Sequence, residues 1–560
     1  MKEFYKEIIN IIKEKNLNKE QITKLKLKLC SKYKLKKIPT DIEILLNTKP
    51  KDISKLKQLQ TKPVRTISGV AIIAIMTKPF KCPHGKCIMC PGGPDSFFGD
   101  IPQSYTGKEP ATMRGIRNHF DPYLQVMNRL EQYAVLGHNF EKIELIVMGG
   151  TFPSFPKKYK EDFILYSFKA MNDFSKLFFK NNKLDILKFK KFFELPHDIN
   201  DEERKKRIHK KLLALKTKKT TTIEKEQKIN ENSDVKCVGL TIETRPDYAT
   251  LEHANELLRF GCTRIELGVQ TTSNKTLNFI KRGHTIEDSI KATTTLKELG
   301  FKINYHMMPG LPFSNKKTDL KILNSLFTNQ NFQPDMLKLY PCMVLPGTEL
   351  YKLWKQKKFK PITTKQAAEM LIEFKKNVPP YVRIMRVQRD IPTYATSAGV
   401  SQTNLRQSMH QLMEKKQIKC NCIRCREPKK ENLFKPTTII RIYKASNGTE
   451  FFISSEDTKK NKLLGFCRLR LPASSLRKEI TKDSALIREL HIYGAATGIG
   501  KSGKVQHKGL GKSLLKKAEQ IAKQNNKNKI VVISGVGVRN YYKKLGYKKQ
   551  GPYMVKKLSL

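Results

Sequence analysis

Seven short apolar runs rich in β-branched residues recur across the middle of the chain: VAIIAIM (70–76), KIELIVM (142–148), CVGLTI (237–242), TRIELGV (263–269), FKINYHM (301–307), MLKLYP (336–341) and VRIMRV (382–387). Amphipathic stretches at helical spacing lie between several of them, Ala254 to Phe260 and Ser289 to Leu299 among these. Runs this short and this apolar read as strands covered on both faces, and strands alternating with helices build parallel β/α units. The pattern predicts an α/β fold, with a partial or full β/α barrel over residues 62–390. Residues 180–232 break the rhythm: Lys, Asn and Glu dominate there, and the segment is expected to be a mobile insertion.

The flanks differ. Residues 1–61 are Lys-rich, and Phe4, Ile8, Ile9, Ile11 and Ile12 recur near helical spacing, so this region is expected to be basic and helical. Residues 391–435 read as a connector. From 436 to 560 the expected order is antiparallel strands (438–444, 463–471, 485–493), one long helix (508–525) and two more strands (529–534, 547–555), a compact α+β domain. Lys and Arg number 108 against 51 Asp and Glu, a formal charge of +57. Part of that excess is solvated surface, but a field of one sign this strong concentrates polyanions, and a phosphate backbone is the expected partner. The longest apolar run, Val70 to Met76, is far too short to span a bilayer, so no membrane role is expected. The start, MKEFYKEIINIIKEKN, carries no secretory signal pattern, which together with eleven cysteines predicts a reducing, cytoplasmic setting and thiolates used for metal.

Cys82, Cys87 and Cys90 form C-x4-C-x2-C directly after the first predicted strand. In a β/α barrel that is a loop at the C-terminal end, where active sites are built. Three thiolates suit either a zinc knuckle with a distant fourth ligand or an iron–sulfur cube with one iron left open for a substrate or cofactor. A second triplet, Cys420, Cys422 and Cys425, lies in the connector; it is read as a structural zinc site, with His410 the candidate fourth ligand. Near the C-terminus, Gln506-His507-Lys508-Gly509-Leu510-Gly511 leads into a helix whose apolar face is Leu510, Leu514, Leu515, Ala518, Ile521 and Ala522. Glycines at a helix start expose N–H groups to an anion such as a pyrophosphate. A nucleotide P-loop does not fit, because its first glycine would fall on Ala495 or Gln506.

These motifs carry a resemblance. The three-cysteine loop on a β/α barrel resembles radical S-adenosylmethionine (SAM) enzymes, whose open cluster iron chelates SAM. Most of them have one residue fewer in the first cysteine gap. The ordered blocks CPGGPDS, QSYTGKEPATMRGIR, VMGGTF, GLTIETRPDY, GCTRIELGVQ, RGHT, HMMPGLP, LKLYPCMVLPGTELY and RVQRDIP together resemble the family of the catalytic subunit of Elongator. The Q-x-x-G-x-G loop, RELHIYG and NYYKKLGY resemble the acetyl-CoA site of GNAT acetyltransferases.

The resemblance implies a [4Fe-4S] cluster on Cys82, Cys87 and Cys90, with SAM approached by Gly149 and Gly150 and by Glu243, Arg245 and Gln270. It implies acetyl-CoA lined by Glu489, Leu490, His491 and Ile492, by Gln506, and by Gly509, Leu510, Gly511 and Lys512. Tyr542 would approach the thioester sulfur, and Lys142 would contact the acyl-CoA. The implied reaction is radical carboxymethylation of C5 of wobble uridine 34 in tRNA: hydrogen abstraction from the acetyl methyl group, addition to the base, and hydrolysis of the thioester. The implied partners are the tRNA anticodon stem-loop and either a second copy of the chain or Elongator-type subunits. The rival readings are a protein-lysine acetyltransferase with Glu489 as base, a radical methylthiotransferase, and a tRNA-binding scaffold.

Overall fold

In the computed structural model the chain is described at every residue except 16, 36–37, 40, 50–51, 53–54, 60–68, 197–200, 219, 429–435, 494–508 and 560. The seven apolar runs become one seven-stranded sheet in sequential order: β1 (Val70–Met76), β2 (Lys142–Met148), β3 (Lys236–Thr244), β4 (Arg264–Gln270), β5 (Lys302–Met307), β6 (Met336–Leu339) and β7 (Arg383–Arg386). β3 to β7 pair in parallel, each with the next. The sheet is open, with β1 and β7 as its ends, so the barrel is partial.

The strands alternate. Ile265, Leu267, Ile303, Tyr305, Leu337 and Leu339 are buried on one face. The opposite face carries a polar row: Glu243 is in register with Glu266, Glu266 with Asn304, and His306 with Lys338.

The C-terminal sheet has strands β8 (Thr437–Ala445), β9 (Gly448–Asp457), β10 (Lys462–Leu471), β11 (Ser484–Ile492), β12 (Lys529–Val532), β13 (Lys548–Gln550) and β14 (Tyr553–Lys557), in the order β8-β9-β10-β11-β12-β14-β13. All pairs are antiparallel except β11 with β12. Between those two strands lies the long helix Leu510–Gln524, whose Leu514, Leu515, Ala518, Ile521 and Ala522 pack on Ile453, Leu469, Ile487 and Val532. Among the described residues no helix is long and apolar enough to cross a membrane.

By contacts the chain divides into two units. One gathers 1–73, 122–144 and 164–237, the other 74–121, 145–163 and 238–560. In the first unit, Phe4, Ile8 and Ile12 of the helix Lys2–Glu14 pack with Ile22 and Leu29 of Lys19–Lys32. The same unit corrects the expected mobile insertion at 180–232. Helices Ile186–Phe192, Glu202–Thr217 and Ile223–Asn230 form there, and Phe189, Phe193, Ile208, Leu212 and Ile223 are buried. Asn172 donates to Glu226 at 2.7 Å and Arg204 to Glu131 at 2.5 Å, both buried. The apolar residues there are spaced a helical turn or more apart, so a run of lysines masks them in composition while a folded helix gathers them on one face.

In the second unit the C-terminal sheet docks on the N-terminal ends of the barrel strands. Arg488 of β11 donates to the Phe301 carbonyl at 2.6 Å and to Asp335 at 2.5 and 2.9 Å, and these residues immediately precede β5 and β6. Tyr553 donates to the Leu299 carbonyl at 3.0 Å. Gly535 sits where a Cβ would meet the Val238 carbonyl.

Candidate active sites

The cysteine loop leaves β1 at its C-terminal end, and the other barrel residues singled out by sequence, Lys142 excepted, converge there. Cys87 and Cys90 are buried, Cys82 half-buried. The three sulfurs are not among the described groups whose ligand atoms close to within 4.8 Å of one another. A single zinc ion with Zn–S of about 2.3 Å would draw them to about 3.8 Å, so this wider set suits a cluster better than one ion.

Donors surround the sulfurs. The Ser104 N–H lies 3.2 Å from Cys90 Sγ, which itself donates to Gln103 Oε1 at 3.0 Å. The Arg282 guanidinium is 3.7 Å from Cys87 Sγ, His84 Nε2 is 3.2 Å from it, and Thr151 Oγ1 is 3.8 Å from Cys82 Sγ. Burial, with Cys87 alongside, pushes the Cys90 thiol up to about 11, and burial also raises Cys82. A metal must therefore displace the protons.

Gly149 and Gly150, at the end of β2, take φ of +121° and +111°, a region side chains avoid. A Cβ on Gly149 would collide with Thr77 Oγ1, and one on Gly150 would lie 3.5 Å from Gln103 Cβ, beside the Cys90 contact. The backbone is thereby left open toward the cysteine loop. Arg245, just past β3, holds Asp247 at 2.7 and 2.9 Å and the Gly283 carbonyl at 2.9 Å. Its Nη1 is buried with no hydrogen-bond partner among the described residues, as is Gln270 Oε1 at the end of β4. An orphaned guanidinium nitrogen and an orphaned amide oxygen on this rim fit the carboxylate and amino or hydroxyl groups of a bound SAM.

Glu243 is engaged otherwise: it accepts from Tyr105 Oη at 3.0 Å and lies 3.7 Å from Lys338 Nζ. Lys338 also pairs with Glu266, which accepts from His306 at 2.8 Å and from Asn304 at 3.2 Å. Burial alone would raise the Glu266 carboxyl, but Lys338 and His306 outweigh it and hold the group well below the usual carboxylate range. The carboxylates and imidazole of Glu243, Glu266 and His306 are close enough to share an ion, yet the Lys338 ammonium already sits among them. Sequence reading missed Gln103, Tyr105, Arg282 and Lys338. The signal for the first two was their place in QSYTG, close behind the cysteine loop.

Lys142 opens β2, at the far end of the strand from Gly149, and is half-buried. It does not join the residues around the cysteines.

The second site is a wedge in the C-terminal sheet. β11 and β12 pair only from Ser484 to Ile487 and then part. Glu489, Leu490, His491 and Ile492 stay paired to β10 alone. Gly509, at φ +79° and with no atom of the described residues within 4 Å of where a Cβ would stand, caps the helix that starts at Leu510. A Cβ on Gly511 would lie 3.8 Å from Ile492 Cγ1 and 3.2 Å from Tyr541 Oη, which brings strand, glycine loop and closing motif together. Lys512 is exposed on the first turn, where the helix dipole favours an anion. Tyr542 is buried in the core between the helix and the sheet, its hydroxyl raised by burial, while Tyr541 is half-buried beside Gly511. Gln506 lies outside the described residues.

The sulfurs of Cys420, Cys422 and Cys425 do lie within 4.8 Å of one another. The group is largely buried around the short helix Ile423–Arg426, and Lys375 Nζ is 3.4 Å from Cys425 Sγ. Hydrogen bonds among the three thiols raise Cys420 and lower Cys422. His410 is exposed on the helix Leu405–Lys415 and is not part of the group, so the expected fourth ligand is not assembled.

A three-cysteine loop at the C-terminal rim of a parallel half-barrel, joined to a strand-and-helix wedge of acetyltransferase type, defines a radical SAM enzyme fused to a GNAT domain. Family profiles agree: the radical SAM superfamily over residues 78–326, a radical SAM C-terminal domain over 334–415, a GNAT acetyltransferase domain over 502–558 and an ELP3 N-terminal domain over 1–67. A Methanocaldococcus infernus protein named tRNA uridine(34) acetyltransferase is 45% identical, over 98% of this chain and 98% of that protein. Elongator complex protein 3 of Saccharomyces cerevisiae is 39% identical, over 95% of this chain and 91% of that protein. A solved structure of archaeal Methanocaldococcus infernus Elp3 lacking residues 1–46 matches with a TM-score of 0.70 and 39% identity, covering 88% of this chain and all of that one. The chain belongs to the Elp3 family.

Proposed function

We propose that this chain is a tRNA uridine(34) acyltransferase that uses radical SAM chemistry on acetyl-CoA to place a carboxymethyl group on C5 of the wobble uridine. The observation that carries the reading is the presence, in one chain, of a cluster-type loop on the barrel rim and an acetyl-CoA-type wedge in the second sheet. When loaded, a [4Fe-4S] cluster with SAM supplies hydrogen-abstracting chemistry, and acetyl-CoA supplies an activated acyl group. The protein's part is placement. Cys82, Cys87 and Cys90 hold the cluster; Arg245, Gln270 and the Gly149–Gly150 backbone orient SAM, with Glu243 behind them. Gly509 to Lys512 hold the pyrophosphate, Glu489 to Ile492 and Gln506 the pantetheine arm, and Tyr542 the thioester end; Lys142 is retained as an acyl-CoA contact.

The rival protein-lysine acetyltransferase needs a general base, and Glu489 was its candidate. That carboxylate accepts from Arg468 at 3.0 Å, and although burial would raise it, Lys302 and Arg468 hold it below its ordinary value. A carboxylate so stabilised is a weak base.

The basic helices of residues 1–61 and the charge of +57 fit a tRNA partner, with the target base leaving its stack to reach the site. Residues 391–435 serve as a connector stapled by zinc on Cys420, Cys422 and Cys425. The protein works in the cytoplasm, as a homodimer or with partner subunits of the Elongator type. The test is anaerobic reconstitution with iron and sulfide, then mass spectrometry of tRNA incubated with SAM, reductant and acetyl-CoA. Cys87→Ala should abolish uridine modification and leave tRNA affinity within a few fold; a variant that still carboxymethylates would rule out the radical route.

A further inference from the structure

Two phenylalanines stand exposed next to the cysteine loop. Phe279 ends the short helix Asn274–Phe279 that follows β4, and Phe313 lies in the loop after β5. Phe279 is 40% and Phe313 56% exposed, whereas their neighbours Ile280 and Leu311 are buried against Cys87, Ile88, Met89 and Cys90. The Ile88 N–H donates to the Ile280 carbonyl at 3.2 Å, so the cysteine loop and the base of the phenylalanine pair are one hydrogen-bonded unit.

The pair is held outward. Phe313 sits at φ +63°, a conformation that a bulky side chain adopts only where its surroundings impose it. Here the Gly310 N–H and the Ser314 hydroxyl both donate to the buried Asp319 carboxylate, at 2.8 and 3.2 Å, and Thr276 Oγ1 donates to the Pro312 carbonyl at 3.4 Å. The rings meet edge to face at 4.7 Å, and Lys275 Nζ lies 4.7 Å from the centre of the Phe313 ring.

We propose that Phe279 and Phe313 form a stacking platform for an unpaired nucleobase of the anticodon loop adjoining the target uridine, with Lys275 taking a neighbouring phosphate. This rests on the tRNA reading above. Two rings and a cation are far smaller than the roughly 800 Å² per partner of a stable protein interface, yet match one base plane and its backbone charge. An exposed cation–π contact is weaker than base stacking, so the ammonium yields the ring face to a base and moves to the phosphate. Single-stranded bases splayed out for modification are held by such aromatic planes. The position beside the cysteine loop puts the held base next to the one that is modified.

The experiment uses the full, cluster-reconstituted chain and an anticodon stem-loop RNA carrying 2-aminopurine beside the target uridine. With the wild type, binding should quench the 2-aminopurine emission. Phe313→Ala and Phe279→Ala should each weaken binding about tenfold and relieve the quench, with the salt slope unchanged because no phosphate contact is lost. Phe313→Trp should restore both. Cluster absorbance of each variant reports folding, and the wild-type quench stands whether or not an alanine variant folds. Unquenched emission in the bound wild type, or alanine variants with wild-type affinity, would overturn the platform alone. A wild type that does not bind the RNA would overturn the tRNA reading and the platform with it.

Discussion

Replacing Asp335 by asparagine should cost the protein about 3–5 kcal/mol, the range for breaking a buried ion pair from one side. Asp335 is fully buried and receives Arg488 at 2.5 and 2.9 Å and the Ile303 N–H at 2.9 Å, with Arg468 at 3.5 Å and Lys297 at 3.8 Å. It belongs to a balanced set: Lys297, Arg468, Arg470 and Arg488 against Glu298, Asp335, Glu450 and Glu489. Asparagine leaves an unmatched cation where water cannot reach. The loss is about a fifth or more of a typical domain stability of about 5–15 kcal/mol, and it falls where β11 docks on the starts of β5 and β6.

The double variant Asp335→Asn, Arg488→Met restores the charge balance. It should therefore be less damaged than the sum of the single variants, with a coupling of about 0.5–3 kcal/mol. Acid adds a second readout. Burial would raise the Asp335 carboxyl, but Arg488, Lys297 and Arg468 hold it far below its ordinary range. The unfolded chain takes up the proton near pH 3.9 while the folded chain resists, so stability present above that pH drains away as pH falls below it. Asparagine should flatten that acid limb. Urea unfolding of the four forms, repeated from neutral to acid pH, measures all of this. Asp335→Asn within about 1 kcal/mol of wild type, or strict additivity in the cycle, would refute the view that these residues act as one ionic seam.

Three further outcomes are expected. Lys297 is buried without a hydrogen-bond partner among the described residues, and burial pushes its ammonium down to about 8. The unfolded chain holds that proton up to about 10.4, so the stability of wild type relative to Lys297→Met should rise with pH between those values; a flat or falling difference in thermal unfolding would contradict it. Arg282→Leu removes a cationic donor from Cys87 Sγ, so the midpoint potential of the reconstituted cluster should become more negative in an EPR-monitored redox titration; an unchanged potential would show that the contact does not tune it. Cys422→Ser should release about one zinc per chain in metal analysis while the iron content of the reconstituted cluster holds, and loss of iron instead would reassign that triad.

The barrel strands were legible because each is an apolar run with at least one buried face, and in β4 and β6 nearly every position is buried, so local composition and tertiary environment ask for the same residues. The runs at 70–76 and 142–148 coincide with β1 and β2, and the other five differ from their strands by no more than two residues at either end. The GNAT wedge was legible for a related reason: glycines at a helix start have a local cause, the approach of backbone to an anion. What failed was everything set by partners distant in sequence. Arg468 and Arg470 alternate with Leu469 and Leu471 as a half-solvated strand would, and nothing local marks them as fully buried. Their partners Asp335 and Glu298 lie more than a hundred residues upstream and belong to a different sheet and its covering helix. The insertion misled in the same way, since the packing of Phe189 and Ile208 depends on which helix face meets its neighbours, and composition averages over faces. The site shows both limits at once. Its cysteines and glycines announce themselves by spacing and by conformation. Arg282, Gln103 and Lys338 are ordinary polar residues until the sheet brings them to a sulfur or a carboxylate. The cysteines and glycines proposed to hold the cofactors are marked in the sequence, while the polar residues beside them are found only in the fold.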